Sequence, residues 1–182
     1  LVIATGISNG FWRDDRFASR DEVEAEDRAR TQQLAGAKSI AVIGGGPTAA
    51  SMAANLAAAG PERQVHWFHP GERPLQGYHP ETVHAVLERI DQLGVVRHSG
   101  HRAVIPAGHD PRTIRGGTVE WKTGQPPTQA DAVIWATGAA RPNSGFLPAS
   151  ALDDQGYIRV TPTLQSPDWP EIFAIGDVAA TD

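Results

Sequence analysis

An apolar strand that runs straight into a glycine-rich turn constrains this chain more than any other feature. The stretch is Ser39-Ile-Ala-Val-Ile-Gly-Gly-Gly-Pro-Thr-Ala49, and Ala49 to Ala59 continues it with the composition of a helix. Gly44 and Gly46 let the backbone turn sharply and leave room for a pyrophosphate to come close, while the helix start offers free N–H groups and a positive dipole end. Pro47 suits a first helical position, where its missing donor costs nothing. No carboxylate lies between Gly44 and Ala59 to compete for that dipole. A glycine pattern alone also serves as a tight packing turn. Here Gln64-Val-His-Trp-Phe-His69 follows at the spacing of the next strand of a βαβ unit, which favours the nucleotide reading.

The chain has 182 residues, 40% hydrophobic and 20% charged, which is the composition of a water-soluble domain with an ordinary core. Its formal charge of −5 gives no reason to expect nucleic acid or an anionic membrane as partner. No apolar run approaches the roughly 20 residues of a membrane span, and no signal-peptide pattern is present. Zero cysteines exclude disulfides, thiolate metal sites and a redox dithiol within the segment, and a cytoplasmic location is expected. The chain opens without Met inside the apolar run Leu1-Val-Ile-Ala-Thr5-Gly6, so it reads as a piece of a longer protein.

Along the chain, 1–6 reads as a buried strand and 9–20 as a loop. Ser19 and Glu22 have the spacing of a capping box, opening a polar helix to about Ala35. A strand over 39–43, a helix over 47–59 and a strand over 64–68 form the first βαβ unit. Pro80 and Glu81 start a second helix in which Val83, Val86, Leu87, Ile90 and Leu93 repeat at helical spacing until Gly94. A short strand follows over 95–98. Pieces at 103–105 and 118–122 predict a small antiparallel insert. Asp131-Ala-Val-Ile-Trp-Ala136 is a further strand, ending in Thr137-Gly138. The proline-rich remainder reads as loop with a short strand near 157–160, and 172–175 as the last strand.

The phrase Ala-Thr-Gly occurs at the ends of two strands, at 4–6 and 136–138, and Gly-x-Gly-x-x-Ala at 44–49 lies between them. With Pro-Glu-Ile-Phe-Ala-Ile-Gly-Asp177 this ordered set resembles the two-dinucleotide-domain flavoproteins of the pyridine nucleotide-disulfide oxidoreductase superfamily. The loop His69-Pro-Gly-Glu-Arg73 is similar to that of type II NADH dehydrogenases and apoptosis-inducing-factor-like reductases. The resemblance implies an α/β fold: a Rossmann-type parallel sheet with a small antiparallel insert. It also implies a flavin-domain stub and linking helix at 1–38, a nicotinamide-nucleotide domain at 39–138 and a return segment at 139–182. The family's first glycine-rich motif would precede Leu1 and its interface domain would follow Asp182.

The same resemblance assigns Gly44, Gly45, Gly46, Pro47, Thr48, Ala49, His69, Arg73, Ala136, Thr137 and Gly138 to NAD(P)H. Thr5, Gly6 and Asp177 would touch FAD, in the intact protein only. Three departures bear on mechanism. Ala49 replaces the usual third glycine. His69 stands where NAD enzymes place an acid for the ribose hydroxyls, so nothing repels a 2′-phosphate, and a protonated His69 or Arg73 would attract one. These two changes occur in NADPH-using relatives, which implies NADPH or use of either nucleotide. Ser51 falls where many members carry a Glu near the nicotinamide.

No residue of this segment is assigned a catalytic role. Its seven histidines are scattered, and no metal site is expected. Trp67 and Trp135 sit in strands and read as core, with Trp67 placed to brush an adenine. The acidic run 21–27 reads as a solvated helix face. The expected function is nicotinamide-nucleotide binding for hydride transfer to flavin, with the fragment inactive alone and the rest of a parent flavoprotein as its partner. A non-catalytic, nucleotide-sensing or interaction module derived from such a flavoprotein is the alternative, and a nucleotide-independent scaffold a third.

Overall fold

The computed structural model describes residues 1–8, 18–110, 113–138 and 141–181. They divide between two compact units, one of 1–15 with 138–182 and one of 16–137. In chain order the strands are β1 (Val2–Ile3), β2 (Ile7–Ser8), β3 (Ser39–Ile43), β4 (Gln64–Phe68), β5 (Val96–His98), β6 (Arg115–Val119), β7 (Thr128–Trp135), β8 (Arg141–Pro142), β9 (Ile158–Arg159), β10 (Phe173–Ala174) and β11 (Ala179–Ala180). The helices are α1 (Arg20–Ala35), α2 (Pro47–Ala59) and α3 (Pro80–Gln92).

The middle unit is built on one sheet in the order β5-β4-β3-β7-β6, parallel except where β6 runs against β7. The expected parallel sheet with an antiparallel addition is what forms. β3 is buried on both faces, with Ile40, Ala41, Val42 and Ile43 all inaccessible, as a central parallel strand must be. α2 packs against β3, β4 and α3, and it buries Ala49, Ala50, Ala53, Leu56 and Ala57. Alanines at these contacts let the helix press close to the sheet. A second cluster joins Ala41, Ile43, Phe68, Val119, Trp121, Ala130, Val133 and Trp135. Asp131, midway along β7, ties that strand to the start of β3: its carboxylate accepts from the Lys38 and Ser39 N–H groups at 3.0 and 2.8 Å, and its own N–H donates to Ser39 Oγ at 3.0 Å. Those bonds hold the Asp131 carboxyl below its ordinary pKa.

Helix α1 opens with the expected capping box: Glu22 N–H donates to Ser19 Oγ, and Ser19 N–H donates to the Glu22 carboxylate. It buries Leu34 and leaves most of its acidic face in solvent, laced by Arg20–Glu24 and Arg30–Glu26 pairs. The predicted spans of α2 and of its two flanking strands agree with the structure.

The antiparallel addition departs from its expected limits. No strand covers 103–105, where Ala103 makes a single bridge to Trp121 and the flanking Val104 and Ile105 stay exposed. The strand lies instead at Arg115–Val119, through a Gly-Gly pair that reads as a turn in sequence. Gly116 is admitted because a Cβ there would stand 2.6 Å from the Asp131 carbonyl oxygen, so the close approach of β7 requires glycine.

Among its described residues the terminal unit contains three two-stranded sheets, β1 with β10 and β9 with β11 in parallel, and β2 with β8 antiparallel. Its core is Ile3, Ile158, Ala174, Val178 and Ala179. The expected buried strand over 1–6 is only two residues long, and of those only Ile3 is buried. The strand stops because Thr5 and Gly6 turn away, with Gly6 at φ +65° and Asn143 Nδ2 donating to the Thr5 carbonyl. Ala179–Ala180 forms a strand beyond the one expected to be last. Most of the loop expected over 9–20 lies outside the described residues. Among those described, no helix is long and apolar enough to cross a membrane.

Candidate functional site

The C-terminal ends of the parallel strands β3, β4, β5 and β7 lie along one edge of the middle unit's sheet. At the end of β3, Gly44 has φ +148°, and a Cβ there would collide with the Ala136 carbonyl. The turn is held from three sides. Gly44 N–H donates to the Phe68 carbonyl at 2.9 Å, Trp67 Nε1 donates to the Gly44 carbonyl at 2.7 Å, and Leu75 N–H donates to the Gly45 carbonyl at 2.7 Å. Ala136 N–H donates to the Ile43 carbonyl at 2.8 Å, so the end of β7 is fixed beside the turn.

Gly46 caps α2 in an extended conformation, with Pro47 in the first turn, no side-chain cap and no acid in that turn. Among the described residues the N–H groups of Gly45, Gly46, Thr48 and Ala49 have no acceptor. A helix end of this kind presents unpaired donors and a positive dipole end. The cradle therefore fits a pyrophosphate. Ala49 is fully buried, and a Cβ on Gly44 would stand 3.3 Å from its methyl. The methyl of the third motif position thus packs on the inner side of the turn.

The loop after β4 differs from a sequence-level picture of a charged strand end. His69 is only 2% exposed, and its Nδ1 lies 2.8 Å from the Gly71 carbonyl. Burial lowers its pKa, the Gly71 bond opposes that, and the charges of Arg97 and His101 lower it further. A buried neutral imidazole is not the cation that would draw a 2′-phosphate. Arg73 is the exposed cation of this loop. It lines a recess of about 290 Å³ with Gly45, Gly46, Pro47, Gln76, Tyr78 and Arg102. Leu75 closes the loop with φ +55°, a conformation that a bulky residue holds only under constraint. The constraint is its bond to Gly45 together with a side chain only 5% exposed.

Trp67 is core, as its strand position implies, and its indole is committed to the glycine turn. With no exposed surface, it offers no face to an adenine. Ser51 is exposed on α2, and Asn55 Nδ2 donates to its hydroxyl at 3.3 Å. Three further site features had no signal in local spacing: the Trp67 indole bond, the Leu75 latch and Arg102. Behind the loops, His66 Nδ1 and His98 Nε2 are 3.0 Å apart, and Phe68 stacks on His98 with centroids 4.3 Å apart. Among the described residues no group of three or more His, Cys, Asp or Glu side chains is arranged to hold a metal.

Ala136 and Thr137 close the middle unit, whereas Gly138 belongs to the terminal unit. In that unit Asp177 is exposed in a short 3-10 turn and lines a recess of about 760 Å³ with Asp153, Gln155, Tyr157 and Thr181. Thr5 and Gly6 do not line this recess. Thr5 Oγ1 donates to the Asn143 carbonyl at 2.7 Å, and Asn143 N–H to the Gly6 carbonyl at 2.9 Å.

The chain is 30% identical over 159 residues to Fe-regulated protein 8 of Mycosarcoma maydis, covering 86% of this chain and 37% of that protein. It is 28% identical to Oxidoreductase ptaL of Pestalotiopsis fici, covering all of this chain and 48% of that protein. The chain thus spans less than half the length of either relative. The crystal structure of the ferredoxin reductase for the CYP199A2 system from Rhodopseudomonas palustris is similar with a TM-score of 0.68 at 28% identity, over 98% of this chain and 43% of that one. Residues 1–182 match the pyridine nucleotide-disulphide oxidoreductase family throughout, and the chain belongs to that family.

Proposed function

We propose that this chain is the nicotinamide-nucleotide-binding part of an FAD-dependent oxidoreductase, and that its nucleotide is NADPH or either of NADPH and NADH. The observation that carries the reading is the Gly44 turn, where the clash a side chain would make with Ala136 and the unpaired donors of Gly45, Gly46, Thr48 and Ala49 define a pyrophosphate cradle. When both cofactors are bound, the nicotinamide supplies a hydride and the flavin takes it up; the chain's own task is binding, orientation and exclusion of water.

In this reading the Gly45 and Gly46 backbone and the first turn of α2 hold the diphosphate. Ala136, Thr137 and Gly138 border the nicotinamide half. Thr5, Gly6 and Asp177 belong to the flavin side, so the stub within 1–38 and the return segment 139–182 serve a flavin-binding half completed in the parent protein, with the helix of 1–38 as the link. The lean to NADPH rests on the absence of an acid at the end of β4 and on Arg73, with His69 shaping the loop from inside. The fragment alone has no sustained turnover.

Calorimetric titration with NADPH and NADH, with FAD as control, tests this. Binding of NADPH at least tenfold tighter than NADH, about 1.4 kcal/mol, supports the reading in full. Preference for NADH keeps the function and removes the lean to NADPH. Failure of a folded sample to bind either nucleotide overturns it. Steady NADPH oxidation by the chain with added FAD would overturn the statement that it is inactive alone.

A further inference from the structure

The recess beside the glycine turn has a second cation that comes from a different loop. Arg73 follows β4, while Arg102 follows β5, and both line the same space as Gly45, Gly46 and Gln76. The two loops are joined through their backbones: His101 N–H donates to the His69 carbonyl at 2.9 Å, and Gly100 N–H to the Gly71 carbonyl at 3.1 Å. Arg102 is itself held at both backbone groups, its N–H donating to Thr123 Oγ1 at 3.2 Å and its carbonyl accepting from Lys122 at 2.7 Å. Gln125 Nε2 secures the same segment at the Gly100 carbonyl, at 3.1 Å.

Both arginine side chains are free to act. Among the described residues neither guanidinium is paired with a carboxylate, and no carboxylate lines the recess. Elsewhere in the chain arginines do find acids, as Arg97 does at Asp91 and Arg159 at Asp168. Two guanidinium groups without a carboxylate partner among the described residues, lining one recess with the Gln76 side chain, match a dianionic oxygen cluster, because each fork can donate two parallel N–H bonds to phosphate oxygens.

We infer that Arg102 and Arg73 together form a phosphomonoester subsite beside the glycine turn, and that Arg102 determines preference for a nucleotide carrying a phosphate on its adenosine ribose. The inference rests on the nucleotide-binding reading above and adds to it a residue that lies outside the strand-turn-helix motif. His69 contributes through geometry, since its buried ring holds the Gly71 carbonyl in place.

The test compares Arg102→Gln and Arg102→Lys with the unaltered chain by calorimetry, using NADPH, NADH, 2′-AMP, 5′-AMP and inorganic phosphate as probes. Arg102 is exposed, and thermal melts check that each variant remains folded. Arg102→Gln is expected to weaken NADPH and 2′-AMP by about 10- to 100-fold, the range for losing a charged hydrogen-bonding group. NADH and 5′-AMP should change by less than about threefold, and Lys should restore part of the loss, since it keeps the charge without the fork. Equal loss for both nucleotides, or no loss for either, overturns the inference. An Arg102-dependent loss for inorganic phosphate similar in fold to that for 2′-AMP would support it, because both present the same oxygens to the guanidinium, whereas a loss for 5′-AMP as large as that for 2′-AMP would overturn it. If the unaltered chain fails to bind NADPH yet binds 2′-AMP through Arg102, the subsite stands and the hydride-donor reading falls. If it binds neither, both fall.

Discussion

The middle and terminal units differ in how their strands are supported. In the middle unit β3 has a partner on each side and apolar cover on both faces, so Ile40, Ala41 and Val42 are wholly buried. In the terminal unit the strands are two residues long, and Leu1, Val2, Phe173 and Ile175 stay exposed. A binding edge needs a rigid floor, and the middle unit supplies one for the glycine turn. The terminal unit presents its polar recess on much thinner support. The difference teaches that the proposed nucleotide site is carried by the middle unit's own residues, whereas the flavin role proposed for Asp177 depends on the parent protein.

The largest expected effect that tests this contrast is in the second core cluster. Trp135→Ala should destabilise the chain by about 3–5 kcal/mol, the usual range for a buried Trp truncation, because its side chain is buried in that cluster. Phe173→Ala, on a residue 36% exposed, should cost less than about 1 kcal/mol. Urea unfolding of both variants checks the pair, and similar losses would break the contrast. Next in size, Gly44→Ala should cost about 1–3 kcal/mol through forced displacement of β3 from β7 and should abolish nucleotide binding. Urea unfolding and calorimetry separate the two effects.

The smallest effect concerns pH. Burial lowers the pKa of His66 and His98 from 6.5, and the charges of His66, His101 and His69 lower His98 further. The unfolded chain therefore binds protons at these sites more readily than the folded one. Their contribution is complete above about pH 6.5 and is lost as pH falls through the lowered folded values. The melting temperature should fall between pH 7.5 and 5.5, and fall less in the double variant His66→Gln, His98→Gln. An identical fall in both proteins would place the acid-sensitive groups elsewhere.

The parts legible in sequence are those whose cause is local. The continuous apolar run of Ser39–Ile43, the small residues of α2, the Ser19–Glu22 box and the Pro80 start each act within a few positions, and each gave its element near the observed limits. Hidden features depend on distant partners. β6 passes through Gly116 because of a carbonyl on β7, which no pattern within 115–119 reveals. His69 reads as a charged strand end, yet the fold closes over it and leaves Arg73 outside. Trp67 shows as core from its apolar neighbours, but its bond to Gly44 crosses from β4 to the end of β3. Arg102 lines the recess only because the loops after β4 and β5 are bonded together.

The left-handed backbone of Leu75 has a kinetic consequence. Its bond to Gly45 sets the wall of the recess before any ligand arrives, so the ordering of that loop belongs to folding and is absent from association. Nucleotide capture should then be a single step, with an observed rate that rises linearly with concentration and shows no plateau in stopped flow. Leu75→Gly, which frees the backbone and removes the buried anchor, should introduce a plateau set by loop closure.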